Sequence, residues 1–493
     1  GTAEGAVKAG KPVFVEADGD FLMPVSTTTT YTHSKGSATE LLAGDSADRI
    51  SITYDANVDR FVIAYLDNNV PQVKVVSVGS DNAVAVTATQ TISSTNDDCK
   101  QVAVEYDVTN QKVLYVYAAD QNSNDLRCRV LTIGASSVTV GSEVIIDDSN
   151  STGTDINVAY DTTNSKFVVY NRDQSNSSYP TAYVGSISGT TPSFGTAQVV
   201  TSATAGVCLD TAFGGDKFLF SYRDGSNDLA IKAATLSDTT LTFGSEYELD
   251  DEYPSTNNGF QDSMGYMSAI GLFAVAYDIS GDTIKLKGVK VADDRSITMG
   301  YETGESGSAN TNTTTGNTNN ASIPKLIETS TVPMIYRDEN NYIKYNEFVF
   351  AEASGEVVGY KITKGTPVTL LGSGTNYFTS IAQAGAAQNY RMLAAYEDSD
   401  NDIGSYGIHP AGSATTTTFP TSGKGFIGIA TKDVSDNGQV EVATTGQIDA
   451  QQSGLTAAET YYAQNDGSLG TSADSLGSVV VGKALSATKL LIE

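Results

Sequence analysis

Arg60–Asp67 reads RFVIAYLD, an apolar run that ends in Tyr65 and turns on Asp67. The same phrase returns as KVLYVYAAD with Tyr117, KFVVYNRD with Tyr170, KFLFSYRD with Tyr222, LFAVAYD with Tyr277, VPMIYRD with Tyr336 and RMLAAYED with Tyr396. Successive tyrosines stand 52, 53, 52, 55, 59 and 60 residues apart. Seven copies at so regular a period mark a repeat architecture, in which one supersecondary unit buries its faces against the next. The later intervals lengthen through loops, including the polar tract Gly304–Asn320 (GESGSANTNTTTGNTNN).

Working outward from the first copy, the residues predict four strands: Ile50–Tyr54, Arg60–Tyr65, Gln72–Val78 and Val86–Ile92. The second copy predicts Gln101–Tyr106, Lys112–Tyr117, Leu126–Ile133 and Ser137–Ile146 in the same order. In both, the first strand ends in Tyr-Asp. Alternation and the abundance of Val, Ile, Thr and Tyr favour strands, and helical periodicity is essentially absent from 45 to 420. About 50 residues per four-stranded unit, seven times over, is the arithmetic of a seven-bladed β-propeller. The tyrosines of the second strands then read as core between blades, with ligand stacking the minor alternative. No Trp is present, so the ring is neither a WD40 array nor a sialidase-type Asp-box array. Solenoids use shorter and more uniform units, and a string of sandwiches needs about seven strands per 100 residues.

Composition narrows the function. The 493 residues hold 58 Asp+Glu against 29 Lys+Arg, a net charge of −29. Phosphate backbones and anionic membrane surfaces need neutralising cations, so neither is an expected partner. Three cysteines at irregular spacing, Cys99, Cys128 and Cys208, make neither a disulfide framework nor a zinc pattern and read as buried free thiols. Any imidazole base has to be His33 or His409, and each reads as an ordinary surface or turn residue. No apolar run is long enough to span a membrane; the longest, Ala269–Ala276, is strand-sized. The chain opens on Gly1 with no signal-peptide pattern, which does not separate a processed chain from one that starts upstream.

The flanks of the repeat form the rest of the organisation. Residues 1–44 hold two short strands joined at an Asp18–Gly19 turn, then a linker; 45–422 hold the propeller; 423–493 alternate strands with Gly, Asn and Ser turns. Seventy residues make a small core, so the N-terminal strands are expected to complete a C-terminal β-barrel-like module into which the propeller is inserted. The framing segments are AVKAGKPVFVEADGDF at Ala6–Phe21, FIGIATKDV at Phe426–Val434, GQVEVATTGQID at Gly438–Asp449, SGLTAAETYYAQNDGSL at Ser453–Leu469 and VGKALSATKLLIE at Val481–Glu493. Together they resemble a module of tailed-bacteriophage exterior virion proteins, found in tail fibres and head fibres, often of marine phages. The resemblance covers roughly 95 residues at the two ends and carries no catalytic residue. It implies a non-enzymatic exterior component of the virion that contacts other virion proteins and is a homo-oligomer, often a trimer.

The candidate chemistry lies in the acidic turns that follow each second strand: Asp67–Asn69, Asp120–Asp125, Asp173–Ser178, Asp224–Asp228, Asp278–Asp282, Asp338–Asn341 and Asp398–Gly404. Asp398, Asp400 and Asp402 have the alternating oxygen spacing that opens a calcium loop, although the closing Glu of an EF-hand is missing. Asp and Asn also favour turns because they bond their own backbone, and that is the leading reading. Beyond calcium at that loop no cofactor is expected. Nothing in the spacing singles out a carboxylate pair, and nucleophile-elbow, P-loop and zinc-protease motifs are absent. Gly372–Tyr377 is Gly-rich, but no helical pattern follows it to hold a phosphate. Asp250–Tyr253 (DDEY) reads as a solvated edge. The function expected is host-surface or particle contact through loops on one propeller face. The rivals are a secreted bacterial adhesin or lectin, and a glycan-degrading propeller enzyme.

Overall fold

The computed structural model describes the chain outside residues 1–8, 10–11, 16–20, 23–24, 32–33, 43–46, 94–98, 120–124, 149–151, 203–207, 251–262, 280–282, 300–312, 315–320, 339–341, 353–359, 373–378, 399–401, 410–411, 419–425, 434–438, 440, 464–467 and 473–479. The described residues are all-β, with no α-helix and one short 3-10 turn at Ala386–Gln388. The strands form many antiparallel sheets, and none of them closes on itself. Two compact units result: His33–Pro410, and Gly1–Thr32 together with Ala411–Glu493.

Among the described residues the larger unit holds seven sheets in chain order, each built on an up-and-down meander; the fifth also takes Leu326–Ile327 in parallel beside Met264–Met267. The first is Ala47–Asp55, Arg60–Asp67, Val70–Val78 and Val84–Thr91. The second is Val102–Asp107, Lys112–Ala119 and Asp125–Ile133, flanked by Val138–Val140 and Val144–Asp147. The continuous fourth strand expected over Ser137–Ile146 is therefore two, both paired to Asp125–Ile133. Gly141 marks the break: its N–H donates to Val130 O at 2.8 Å, and a Cβ there would press on the backbone oxygens of Thr190 and Val130. In the seventh sheet the outer edge is supplied by Ser34–Lys35 and Thr39–Leu42, which pair with Ile403–His409. Residues 34–42, which read as linker, thus complete the last sheet of the unit.

Each sheet is apolar on both faces, and each interface between successive sheets has its own core. Val73 and Val75 of the first meet Val104 and Tyr115 of the second. Leu114 and Val130 of the second meet Ile156 and Val158 of the third. Tyr170 of the third meets Phe220 of the fourth, with ring centroids 5.1 Å apart. The series continues through Leu219 with Phe273, Leu286 with Phe348 and Tyr345 with Met392. A further cluster joins Leu393 and Ile403 of the seventh sheet to Ile52 and Phe61 of the first. All seven repeat tyrosines are buried in these clusters, where a large aromatic side chain contributes on the order of 2 kcal/mol.

The first strands are also linked sheet to sheet by polar side chains whose burial requires a partner. Ser51 Oγ accepts from Val104 N–H at 3.3 Å. Gln101 Nε2 donates to Ile156 O at 3.2 Å and Asn157 Nδ2 to Leu209 O at 3.0 Å. Asp210 Oδ2 accepts from Met264 N–H at 2.8 Å, and Ser322 Oγ donates to Thr379 O. Between the seventh and first sheets, Arg391 donates to Val78 O and pairs with Asp59 at 3.1 Å.

The terminal unit has three open sheets. Pro12–Val15 pairs on one side with Phe21–Leu22 and on the other with Phe426–Ala430, which also pairs with Val442–Ala443. Val25–Tyr31 pairs residue for residue with Gly412–Thr418. The third sheet orders Ile448–Asp449, Lys489–Ile492, Val480–Ser486, Thr460–Ala463 and Leu469–Gly470. Tyr461, Val481, Leu490 and Ile492 of this sheet share one core with Ile429 of the first.

Candidate functional site

The acidic turns are built by local hydrogen bonding. Asp224 N–H donates to Asp228 O at 3.0 Å, and Asp228 N–H returns to Asp224 Oδ1 at 2.9 Å. Asp338 and Tyr342 repeat the exchange at 2.9 Å each way. So do Asp398 and Asp402, at 2.9 Å and 3.1 Å. In each of the three the carboxylate satisfies a turn donor that a tight hairpin would otherwise orphan. Asp67 precedes a two-residue turn in which Asn68 and Asn69 have φ of 51° and 64°, the left-handed pair a type I′ hairpin needs. Among the candidate calcium ligands, Asp398 and Asp402 sit at this turn and Asp400 lies outside the described residues. No group of three or more His, Cys, Asp or Glu placed to hold a metal occurs among the described residues.

The Tyr-Asp pairs that end the first strands of the first three sheets latch the first sheet to the second and the second to the third. Asp107 Oδ1 accepts from Thr109 and Asn110 N–H within the turn, and from Tyr160 Oη of the third sheet at 2.6 Å. Tyr106 reaches Asp55 of the first sheet in the same way, and burial together with that carboxylate raises its phenol pKa. In the fourth sheet glycine stands in the Asp position: Gly214 is covered by the Tyr266 ring of the fifth, and a Cβ there would overlap it.

DDEY is not a solvated edge at its first residue. Asp250 is buried. Its Oδ2 accepts from Tyr277 Oη at 2.7 Å, Lys285 Nζ at 3.0 Å and Lys287 Nζ at 3.1 Å. Burial alone would raise this carboxyl, but the three donors outweigh it and hold its pKa below the usual range. Residues 251–253 lie outside the described residues. The three cysteines are buried free thiols, as their spacing implied. His409 ends a strand of the seventh sheet, and His33 lies outside the described residues.

One concave feature with converging polar groups among the described residues is an open cleft of about 510 Å³ between the second and third sheets. Ile145, Asp147 and Asp148 come from the second, and Asp173, Tyr183 and Thr196 from the third. Tyr183 Oη donates to Asp147, and burial plus that carboxylate raises its pKa strongly. Asp173 caps its own turn, accepting from Ser175 Oγ at 2.6 Å and Asn176 N–H at 3.0 Å. Asp148 is exposed to solvent. Tyr183 is buried and its hydroxyl is engaged, so the exposed carboxylate of Asp148 is the group this cleft offers to the donors of a hydroxylated ligand. Of these residues only Asp173 belongs to the turns singled out in the sequence. The others meet through pairing across two sheets, a signal that spacing does not carry. No family model matches this chain, and no curated protein matches it.

Proposed function

We propose that residues 33–410 form a seven-bladed β-propeller borne on a β module made from both ends of the chain. On this reading the protein is a non-enzymatic exterior component of a bacteriophage virion, contacting other virion proteins and a host-surface glycan. The observation that carries the propeller is the succession of seven apolar clusters, the last of which joins the seventh sheet to the first. Residues of the N-terminal segment supply that last sheet's outer edge, which supports a ring joined at that seam. The virion reading rests on the resemblance of the framing segments. The binding reading is supported by the open cleft between the second and third sheets, which the exposed Asp148 lines beside the hydrogen-bonded pair of Tyr183 and Asp147.

Mass spectrometry and reconstruction of purified phage particles test this reading. We expect the chain on the particle surface, with its terminal unit against the particle. Absence from particles overturns the virion assignment. Release of reducing ends from capsular polysaccharide by the purified chain overturns the non-enzymatic one.

A further inference from the structure

Asp210 and Lys325 meet although 115 residues separate them. Asp210 lies on Cys208–Gly214, the first strand of the fourth sheet, and its side chain is fully buried. Lys325 immediately precedes Leu326–Ile327 at the edge of the fifth sheet. One strand, Met264–Met267, pins both. Met264 N–H donates to Asp210 Oδ2 at 2.8 Å, and Tyr266 N–H donates to Lys325 O at 2.9 Å. Lys325 Nζ contacts Asp210 Oδ1 and donates to Thr211 O at 2.9 Å. Asp210 Oδ1 also accepts from Thr211 N–H at 2.7 Å.

This pair differs from the one at Asp250, where two ammonium groups and a phenol keep the carboxyl ionised. Asp210 faces a single lysine, and burial pushes its carboxyl up in spite of it. A buried ammonium–carboxylate pair sheds its desolvation cost when the proton crosses and leaves an amine beside a carboxylic acid. Those two groups are the nucleophile and the electrophile of amide formation, and their contact makes the reaction intramolecular.

We propose that Asp210 and Lys325 form an amide cross-link that ties the fourth sheet to the edge of the fifth. One Nζ proton passes to Oδ1. The Nζ lone pair then attacks Cγ, a C–N bond forms, and the carbonyl pair moves onto Oδ2, where Met264 N–H stabilises it. A second Nζ proton passes to Oδ1, the Cγ–Oδ1 bond breaks with its electron pair, and water leaves as the carbonyl re-forms. The last N–H stays on Thr211 O. No oxidant, reductant or co-reactant enters. The Lys325 side chain is 18% exposed, which gives the water a way out. The cross-link closes a long loop that contains Met264–Met267, Leu272–Ile279 and Thr283–Val291, and constraint of a long loop in the unfolded chain stabilises the fold. The proposal stands apart from the virion reading and does not rest on it.

Intact-mass spectrometry of the full chain, held folded at pH 7 until its mass is constant, tests it. We expect a mass below that of the sequence by one water. Tryptic digestion after denaturation is expected to yield a branched peptide that joins Asp210 to Lys325 and is uncut after Lys325. Lys325→Arg keeps the positive charge without the amine and is expected to show the full sequence mass and a lower thermal midpoint. The parent chain decides the matter by itself, whether or not the variant folds. A parent of full mass overturns the proposal. So does the loss of one water without the branched peptide, which is the signature of a succinimide at Asp210, and so does a Lys325→Arg chain that still loses water.

Discussion

Asp250 gathers three donors on a single oxygen, and two of them are ammonium groups. Removing the carboxylate while both lysines stay buried deprives them of a shared counter-charge, so Asp250→Asn is expected to cost about 3 kcal/mol. The pH dependence has a definite sign. A carboxyl held below its unfolded value of about 3.9 stabilises the fold above that pH and loses the contribution as pH falls through the lower folded value. Thermal melts from pH 7 to pH 2 are expected to fall less steeply below pH 4 for Asp250→Asn than for the parent. Parallel curves would show that Asp250 does not carry this limb. The cysteines bear on the same scale. Burial pushes the Cys128 thiol up to about 12, and Cys208 lies well above the ordinary thiol value for the same reason. Because the thiolate is the nucleophile, a water-soluble disulfide reagent at pH 8 is expected to find no reactive thiol in the folded chain. Three equivalents should react after denaturation.

Among the elements, the second strands were the most legible. Their apolar run, terminal tyrosine and acidic turn recur, and recurrence is visible without any structure. Lys112–Ala119 begins at the residue the sequence predicts for Lys112–Tyr117, and Arg60–Asp67 at the one it predicts for Arg60–Tyr65. Outer strands are less legible, because they have half-exposed, mixed patterns and break where a neighbour comes close, as at Gly141. Residues 34–42 looked like linker because their partner strand lies more than 360 residues away. Asp250 looked like surface because a local acidic run carries no trace of Lys285 and Lys287 arriving on another strand. The cleft was illegible for the same reason. Gly214 shows a position whose role only the fold reveals: it stands where the first three repeats have Asp55, Asp107 and Asp161, and the Tyr266 ring occupies the space. Gly214→Ala is expected to destabilise by about 3 kcal/mol through overpacking. If ring contact is the cause, adding Tyr266→Ala should cost less than it does alone, which a double-mutant cycle in urea measures.

At the scale of the molecule, the question is whether the seventh sheet is mechanically joined to the first. A linear stack has two free ends, and exposure of those ends dictates its unfolding, each unit being coupled to its nearest neighbours. A ring has none, and its weakest place is the seam where the two chain ends of the unit meet. Leu41 sits at that seam, buried in the cluster shared by Leu393 and Ile403 of the seventh sheet with Ile52 and Phe61 of the first. Arg391 adds its pairing to Asp59 across the same junction. A carboxylate introduced at Leu41 has no partner there and is costly to bury, so Leu41→Asp is expected to lower stability by at least about 3 kcal/mol. Amide hydrogen exchange locates the damage. Protection should fall first in Arg60–Asp67 of the first sheet and Met392–Glu397 of the seventh, while Lys166–Asp173 and Lys217–Arg223, which the propeller reading puts on the far side of the ring, keep theirs. A variant as stable as the parent, or one whose protection is lost evenly around all seven sheets, would mean that the seam does not bear on the unit's integrity. The seven-bladed reading would then lose its main physical support.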